Sequence, residues 1–216
     1  MTLLQAVNEM LSAVGRGPVT STDPSVAGEE AAKAISIISD VAVNILSEGW
    51  WFNEEVEYPL NPSPADGTIV LPANTLAVRR STRAYSKQTH PMADRNRTYT
   101  MRGNGGVMYL YDVANQTYSW IANTMGYTVA QPLVTGTLVV ELILSFPFED
   151  IPQPVRWYIM AKAGNMWGPG RVPDMNTYKF SEAVLVDAEA KARQFDQESR
   201  TTIPEDNPHF AFMRRR

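Results

Sequence analysis

The acidic residues that could support catalysis lie in two groups, each close to tryptophan or phenylalanine residues. The first group is Glu54, Glu55 and Glu57, and the second is Glu149 and Asp150. Glycoside hydrolysis needs two carboxyl groups at a suitable separation, and the neighbouring aromatic rings could hold a sugar. Acid and base roles also require different pKa values, of which the sequence gives no sign. Glycan hydrolysis is therefore kept only as an alternative to a function without catalysis.

The sequence contains no motif for other kinds of catalysis or for metal binding. The absence of cysteine removes disulfides, thiolate metal sites and thiol nucleophiles. The histidines are His90 and His209, which do not form an HExxH pair, and neither a GxSxG elbow nor a GxxxxGKS/T loop is present. The RGNGG segment at 102–106 lies between two predicted strands, which indicates a hairpin turn rather than a phosphate-binding loop. We expect no enzyme activity, no metal and no cofactor.

A basic stretch stands out in a chain whose net charge is -4. The only acid within it is Asp94, and its basic residues are Arg79, Arg80, Arg83, Lys87, Arg95, Arg97 and Arg102. A solvated β face, an acidic partner surface and transient contact with DNA phosphates are all compatible with this stretch. The acidic balance of the whole chain argues against a dedicated nucleic-acid-binding protein.

The helices predicted from periodicity and capping residues lie at the two ends of the chain. Asp23 can cap a helix that has Pro24 at its first position, and Gly49 can end that helix. The predicted helices are Thr2 to Val14, Asp23 to Gly49, a helix opened by Pro152 and Pro154 and broken by the link Gly164 to Pro173, and a final helix from Asp174 or Asn176 to Arg200. The first two should form an antiparallel hairpin.

The middle of the chain has the β-branched and aromatic runs of an antiparallel sheet system. The predicted strands are Glu54 to Leu60, Thr68 to Leu71, Leu76 to Ser81, Arg97 to Arg102, Val107 to Asp112, Tyr118 to Ile121 and Thr137 to Phe146. The fold class is therefore α+β, a helical bundle of N- and C-terminal helices with a central antiparallel β subdomain. We expect a discontinuous helical subdomain (1–49 and 150–203), a β subdomain (50–149) and an extended tail (204–216).

Length and composition favour a folded protein made in the cytoplasm. The chain has 216 residues, of which 44% are hydrophobic and 19% charged, which is enough for one domain or two joined subdomains. The first residues lack the features of a secretory signal, and no apolar run reaches the roughly 18 residues that a membrane span needs. We therefore expect no membrane insertion.

An ordered set of segments resembles the tail tubular protein A family of short-tailed, podovirus-type bacteriophages. The segments are LLQAVNEMLSAVGRGPV, ILSEGWWFNEEVEYPLNP, IVLPANTLAV, GGVMYLYDVANQTY and LILSFPFEDIPQPVRWYIMAKAG. The resemblance runs in order from about Leu3 to Thr202, and GWWFN and FPFEDIPQPVRWYI are its most specific parts.

The resemblance implies a structural virion protein without a catalytic set. Members of this family act as head-to-tail adaptors: they form a ring of copies, a dodecamer in family members, beneath the portal protein and above the tail nozzle protein of the tail tubular protein B type. The genome passes through this conduit without sequence-specific contact, and tail fibres attach nearby. The implied location is the virion tail, after synthesis in the cytoplasm of the host bacterium.

Residues for these partner contacts are assigned from charge and position in the chain. We expect contacts with neighbouring subunits or the portal on the long final helix and on Phe210, Phe212, Arg214, Arg215 and Arg216, because an extended tail can reach across an adjoining surface. The surface for the fibre or nozzle is expected at Arg79, Arg80, Arg83 and Arg95.

Overall fold

The chain folds into two compact units of different secondary structure. A computed structural model describes residues 1–80, 98–120, 138–172 and 178–201. The helical unit comprises Met1–Phe52 and Phe146–Arg216, and the sheet unit comprises Asn53–Ser145. Helices together with antiparallel sheets confirm the predicted α+β class. The predicted tail, 204–216, lies outside the described residues.

The helices are α1 Leu3–Ala13, α2 Pro24–Leu46, α3 Gln153–Trp167 and α4 Glu182–Thr201, with a short 3-10 helix at Phe148–Asp150. Side chains cap the first turns of α1 and α2. The Thr2 side chain accepts a hydrogen bond from the backbone of Gln5, whose side chain accepts from the backbone of Thr2 in return. Asp23 caps α2 as predicted, by accepting from the Ser25 backbone N–H at 2.9 Å.

The core of the helical unit surrounds α3. This helix contacts α1, α2 and α4, and eight of its residues are buried. A helix that is apolar on most sides belongs in a core, which agrees with this central position. The buried residues of α2 are Ala27, Ala31, Ala34, Ile38, Val41, Ile45 and Leu46, which follow each other mostly at helical spacings of three and four.

The predicted end of α3 and start of α4 were wrong. The helix α3 continues past Gly164 to Trp167, and α4 begins at Glu182 rather than at Asp174 or Asn176. Residues 173–177 lie outside the described residues, but Phe180 precedes α4 in a turn, and Asn165 donates a hydrogen bond to its carbonyl oxygen at 3.0 Å. Gly164 is therefore not a helix breaker: it leaves room for the Phe180 side chain.

A second difference is a kink near the start of α2. Gly28 has φ 80° and ψ 167°, which is non-helical, so the first turn of α2 is offset from the rest of the helix. Only glycine adopts this conformation readily. The sequence pattern did not indicate the kink, because it predicted one uninterrupted helix from Asp23 to Gly49.

The sheet unit contains a three-stranded sheet and a hairpin. The strands are β1 Glu54–Leu60, β2 Thr75–Arg80, β3 Tyr99–Asn104, β4 Val107–Asp112 and β5 Leu138–Leu144. The three-stranded order is β1-β5-β2, and both pairings are antiparallel. The predicted turn in RGNGG joins β3 to β4, with Gly105 and Gly106 at positive φ.

Burial in the sheet unit follows the strand pattern. The central strand β5 is the most buried of the described strands, and its even-numbered residues belong to a core with Leu110 and Trp120. The bounds predicted for β1 and β4 match the structure. The predicted strands Thr68 to Leu71 and Tyr118 to Ile121 were wrong in the described part of the chain. Only isolated antiparallel bridges form there, Thr68 with Ser119 and Val70 with Tyr109.

Candidate assembly interface

Large apolar side chains lie exposed on three helices of the helical unit. Val26 and Val43 lie on α2, Met166 on α3 and Val186 on α4, and each is between 46% and 67% exposed. Single exposed apolar residues are ordinary on protein surfaces, so their arrangement matters more than their number.

On α4, the exposed apolar residue belongs to an uncharged strip. Ala183, Val186 and Ala190 are exposed and follow each other at helical spacings of three and four. Residues with this spacing share one face of a helix. Alanine side chains also let a second backbone approach closely. We call these residues the α4 strip, a surface suited to packing against another helix.

The charges of α4 are largely paired with one another or with the end of α2. Lys191 pairs with Asp187 at 2.6 Å and Arg200 with Asp196 at 2.9 Å, each one helical turn apart. Arg193 pairs with Glu48, and its guanidinium lies 4.8 Å from the centre of the Trp50 ring. The charged residues of these pairs are close to the α4 strip in sequence, but the strip itself contains no charged residue.

The buried cluster beneath Arg193 holds α4 against α3 and the end of α2. Trp50 is fully buried and donates from Nε1 to the carbonyl oxygen of Ile45 at 2.7 Å. Burial raises the pKa of Tyr158 to about 12, with further contributions from the negative charges of Glu189 and Glu48. The cluster is a rigid support for the surface of α4.

A groove with aromatic lining runs between the start of α3 and the second half of α4. Its apolar lining consists of Pro154, Trp157 and Phe195. Gln153, Lys191, Gln194 and Glu198 contribute the polar lining. Trp157 and Phe195 are only half-buried, so aromatic surface remains accessible there. We call this feature the α3/α4 groove.

The acid group that follows the sheet unit has a structural contact. Glu149 accepts a hydrogen bond from the backbone N–H of Leu3 at 2.9 Å, in the first turn of α1. The chain terminus is held beside it, because the Met1 ammonium donates to Gln153 and Arg156 donates to the Met1 carbonyl oxygen at 2.6 Å. A carboxylate at a helix N-terminus is stabilising, so Glu149 anchors α1.

The acid group at the start of β1 is also tied into an ion pair. Arg79 on β2 lies 3.7 Å from Glu54 on β1 and 3.7 Å from Glu141 on β5. Glu141 is buried, whereas Glu55 and Glu57 are exposed on the strand. An arginine between two carboxylates is the arrangement of a structural ion pair, whereas hydrolysis needs carboxyl groups in different protonation states.

The hairpin β3–β4 presents a cluster of tyrosines with one arginine. Tyr118 packs edge-on against Tyr109 and Tyr111, with ring centroids 5.8 and 4.9 Å apart. The guanidinium carbon of Arg102 lies 3.9 Å from the centre of the Tyr111 ring. Arg102 comes from the basic stretch, and here its charge is placed over an aromatic face.

Comparison with known families identifies the family of this chain. The model of the family described as "Tail tubular protein" matches residues 4–202, nearly the whole chain. This chain is a tail tubular protein. Comparison with curated proteins gives no match.

Tail tubular proteins have a structural role in the bacteriophage tail, and this chain is accordingly a structural component of the virion tail. The family is structural rather than enzymatic. Within the described residues, no group of three or more potential ligands could hold a metal ion, and no helix is long and apolar enough to cross a membrane.

The structure describes part of the surface expected from the sequence of this tail tubular protein. Arg79 and Arg80 lie exposed at the end of β2, and Arg79 bridges two glutamates. The other expected contact residues lie outside the described residues: Arg83, Arg95, Phe210, Phe212, Arg214, Arg215 and Arg216. Contacts were expected on the final helix without particular residues, although the spacing of Ala183, Val186 and Ala190 could have indicated the α4 strip.

Proposed function

We propose that this tail tubular protein is the ring-forming adaptor that joins the portal protein to the tail nozzle protein. The observation that carries the proposal is the family match across residues 4–202, because a role in the phage tail restricts the chain to assembling with itself and with adjoining tail components. In this proposal the ring, a dodecamer by family resemblance, forms part of the DNA conduit and supports attachment of the tail fibres.

The α4 strip suits the contact between neighbouring copies. A closed ring uses heterologous contacts, in which one face of a subunit packs on a different face of the next. Exposed apolar surface on a helix is covered in such an assembly. We assign the strip of Ala183, Val186 and Ala190 to one of these two faces. Arg79 and Arg80 in the sheet unit are assigned to the nozzle or fibre.

A charge placed on the α4 strip tests the proposal. We expect the unmodified chain to form closed rings, alone or with its portal protein, and Val186→Asp to prevent them, because the carboxylate would be buried unpaired at the contact. Valine and aspartate have similar helix propensities, so α4 itself should persist. Thr20→Asp, which adds the same charge at an exposed residue outside the helices, is the matched control and should assemble normally.

Native mass spectrometry and negative-stain microscopy measure the outcome, with circular dichroism to establish that both variants are folded. Rings formed equally well by both variants would remove the α4 strip from the interface. A wild-type chain that stays monomeric even with its portal protein would contradict the adaptor function itself.

A further inference from the structure

The α3/α4 groove lies next to the point where the C-terminal segment of the chain begins. Glu198, in the groove lining, is three residues before Thr201, the last residue of α4. The segment that follows is 202–216, with the sequence TIPEDNPHFAFMRRR. Groove and segment are therefore neighbours in the same chain.

The chemistry of the segment matches that of the groove. Phe210 and Phe212 are two residues apart, so in an extended conformation both side chains project to the same side. The groove offers the aromatic side chains of Trp157 and Phe195, and aromatic pairs are favourable in edge-to-face and offset geometries.

Charge favours the same pairing. The segment ends with Arg214, Arg215 and Arg216, whereas the groove lining includes the carboxylate of Glu198. The positive lining residue, Lys191, already has the carboxylate of Asp187 as its partner. The groove therefore presents little net positive charge to an arginine-rich chain end.

The length of the segment permits the contact. The groove residues of α4 extend from Lys191 to Glu198, within about 15 Å of the end of the helix at 1.5 Å per residue. The nine residues that follow Thr201, ending at Phe210, can span at most about 30 Å when extended, at roughly 3.3 Å per residue. Phe210 can therefore reach every part of the groove that α4 contributes.

We propose that the α3/α4 groove is an intramolecular docking site for the chain's own C-terminal segment, with Phe210 and Phe212 packed against Trp157 and Phe195. Covalent connection to α4 gives the segment an effective concentration on the order of millimolar, so a weak contact is sufficient. Docking covers two phenylalanines that a free chain end would expose. The inference does not depend on ring formation, and it assigns Phe210 and Phe212 to a contact within the chain instead of the contact with a neighbouring subunit or the portal that the sequence led us to expect.

Because the chain contains no cysteine, two introduced cysteines can form only one disulfide within a chain, and the rate at which it forms tests the docking in the whole chain. The test pair is Gln194→Cys, in the groove, with Ala211→Cys, between the two phenylalanines. The matched control pair is Gln197→Cys with Ala211→Cys, since Gln197 is exposed on the same helix about one turn away, does not line the groove and is not part of the α4 strip. Both pairs are within reach of the segment.

Oxidation at low protein concentration, followed by intact mass and peptide mapping, measures the disulfide within one chain. We expect the Gln194 pair to form it on the order of tenfold faster than the control pair, because docking raises the local concentration at the groove alone. Adding Phe210→Ser and Phe212→Ser should lower the test pair to the control rate. Equal rates for the two original pairs, or a disulfide between two chains as the main product, would overturn the inference.

Ring formation is followed separately, by native mass spectrometry of the same unoxidised proteins. A chain that forms rings but shows no preferential cross-link would refute the docking site and leave the adaptor function intact. A preferential cross-link in a chain that never assembles would support the docking site and refute the adaptor function.

Discussion

Replacing Gly164 by alanine tests the packing of Phe180 against α3. An alanine Cβ at this position of α3 would lie 2.4 Å from two ring atoms of Phe180 and 2.9 Å from its Cβ. Phe180 is fully buried, and its carbonyl oxygen is held by Asn165, so the side chain and its backbone have little freedom to move. The clash therefore has to be relieved inside a packed core.

The expected magnitude is a balance of two effects. In a helix interior, alanine is favoured over glycine by about 1 kcal/mol. Overpacking a core typically costs about 1 to 3 kcal/mol, and the upper end applies because the contact involves the root of the Phe180 side chain as well as its ring. We expect Gly164→Ala to lower the free energy of unfolding by about 2 kcal/mol. For a chain of this size, the melting temperature should fall by about 4 to 8 °C.

Chemical and thermal denaturation, followed by circular dichroism, measure this change. Gly17→Ala is the control, because a Cβ at Gly17 meets nothing within 4 Å, and its effect should stay within about 0.5 kcal/mol. In a Phe180→Ala background, Gly164→Ala should become neutral or stabilising, since the ring is gone. Stabilisation of the wild-type protein by Gly164→Ala would refute the proposed packing.

The remaining predictions concern pH dependence and the anchoring of α1. Because the folded-state pKa of Tyr158 is raised to about 12 from the ordinary 10.0, its contribution to stability is complete below pH 10. The free energy of unfolding should fall between pH 10 and 12, and Tyr158→Phe should flatten this decline in denaturation curves measured across that range. Glu149→Gln should lower stability by about 0.5 to 1 kcal/mol, because it removes a charge at the start of α1. The neighbouring Asp150→Asn should have no measurable effect in the same denaturation assay; equal losses would contradict the anchoring role of Glu149.

Several contacts of the candidate sites could not be predicted from the sequence. The basic stretch was visible in the sequence, but the pairing of Arg79 with Glu54 and Glu141 depends on three strands meeting in one sheet. The α3/α4 groove likewise joins residues about forty positions apart, such as Trp157 and Phe195. Neither pairing has a local sequence pattern, because the contacts arise from packing between distant segments.

Local physical chemistry in the sequence determined the fold class, the start of α2 at Asp23 and Pro24, the bounds of β1 and β4, and the β3–β4 turn. Caps, turn glycines and side-chain periodicity act over a few residues, so they can be read without tertiary structure.

Tertiary structure alone decided that Gly164 lies inside a helix and that Phe180 precedes α4. Glycine is a poor helix former by its own propensity, which is why the sequence indicated a break. In the folded chain, the absence of its side chain creates the space that Phe180 fills. Glycine at position 164 is therefore unfavourable for the helix by itself but allows the side chain of Phe180 to pack against α3.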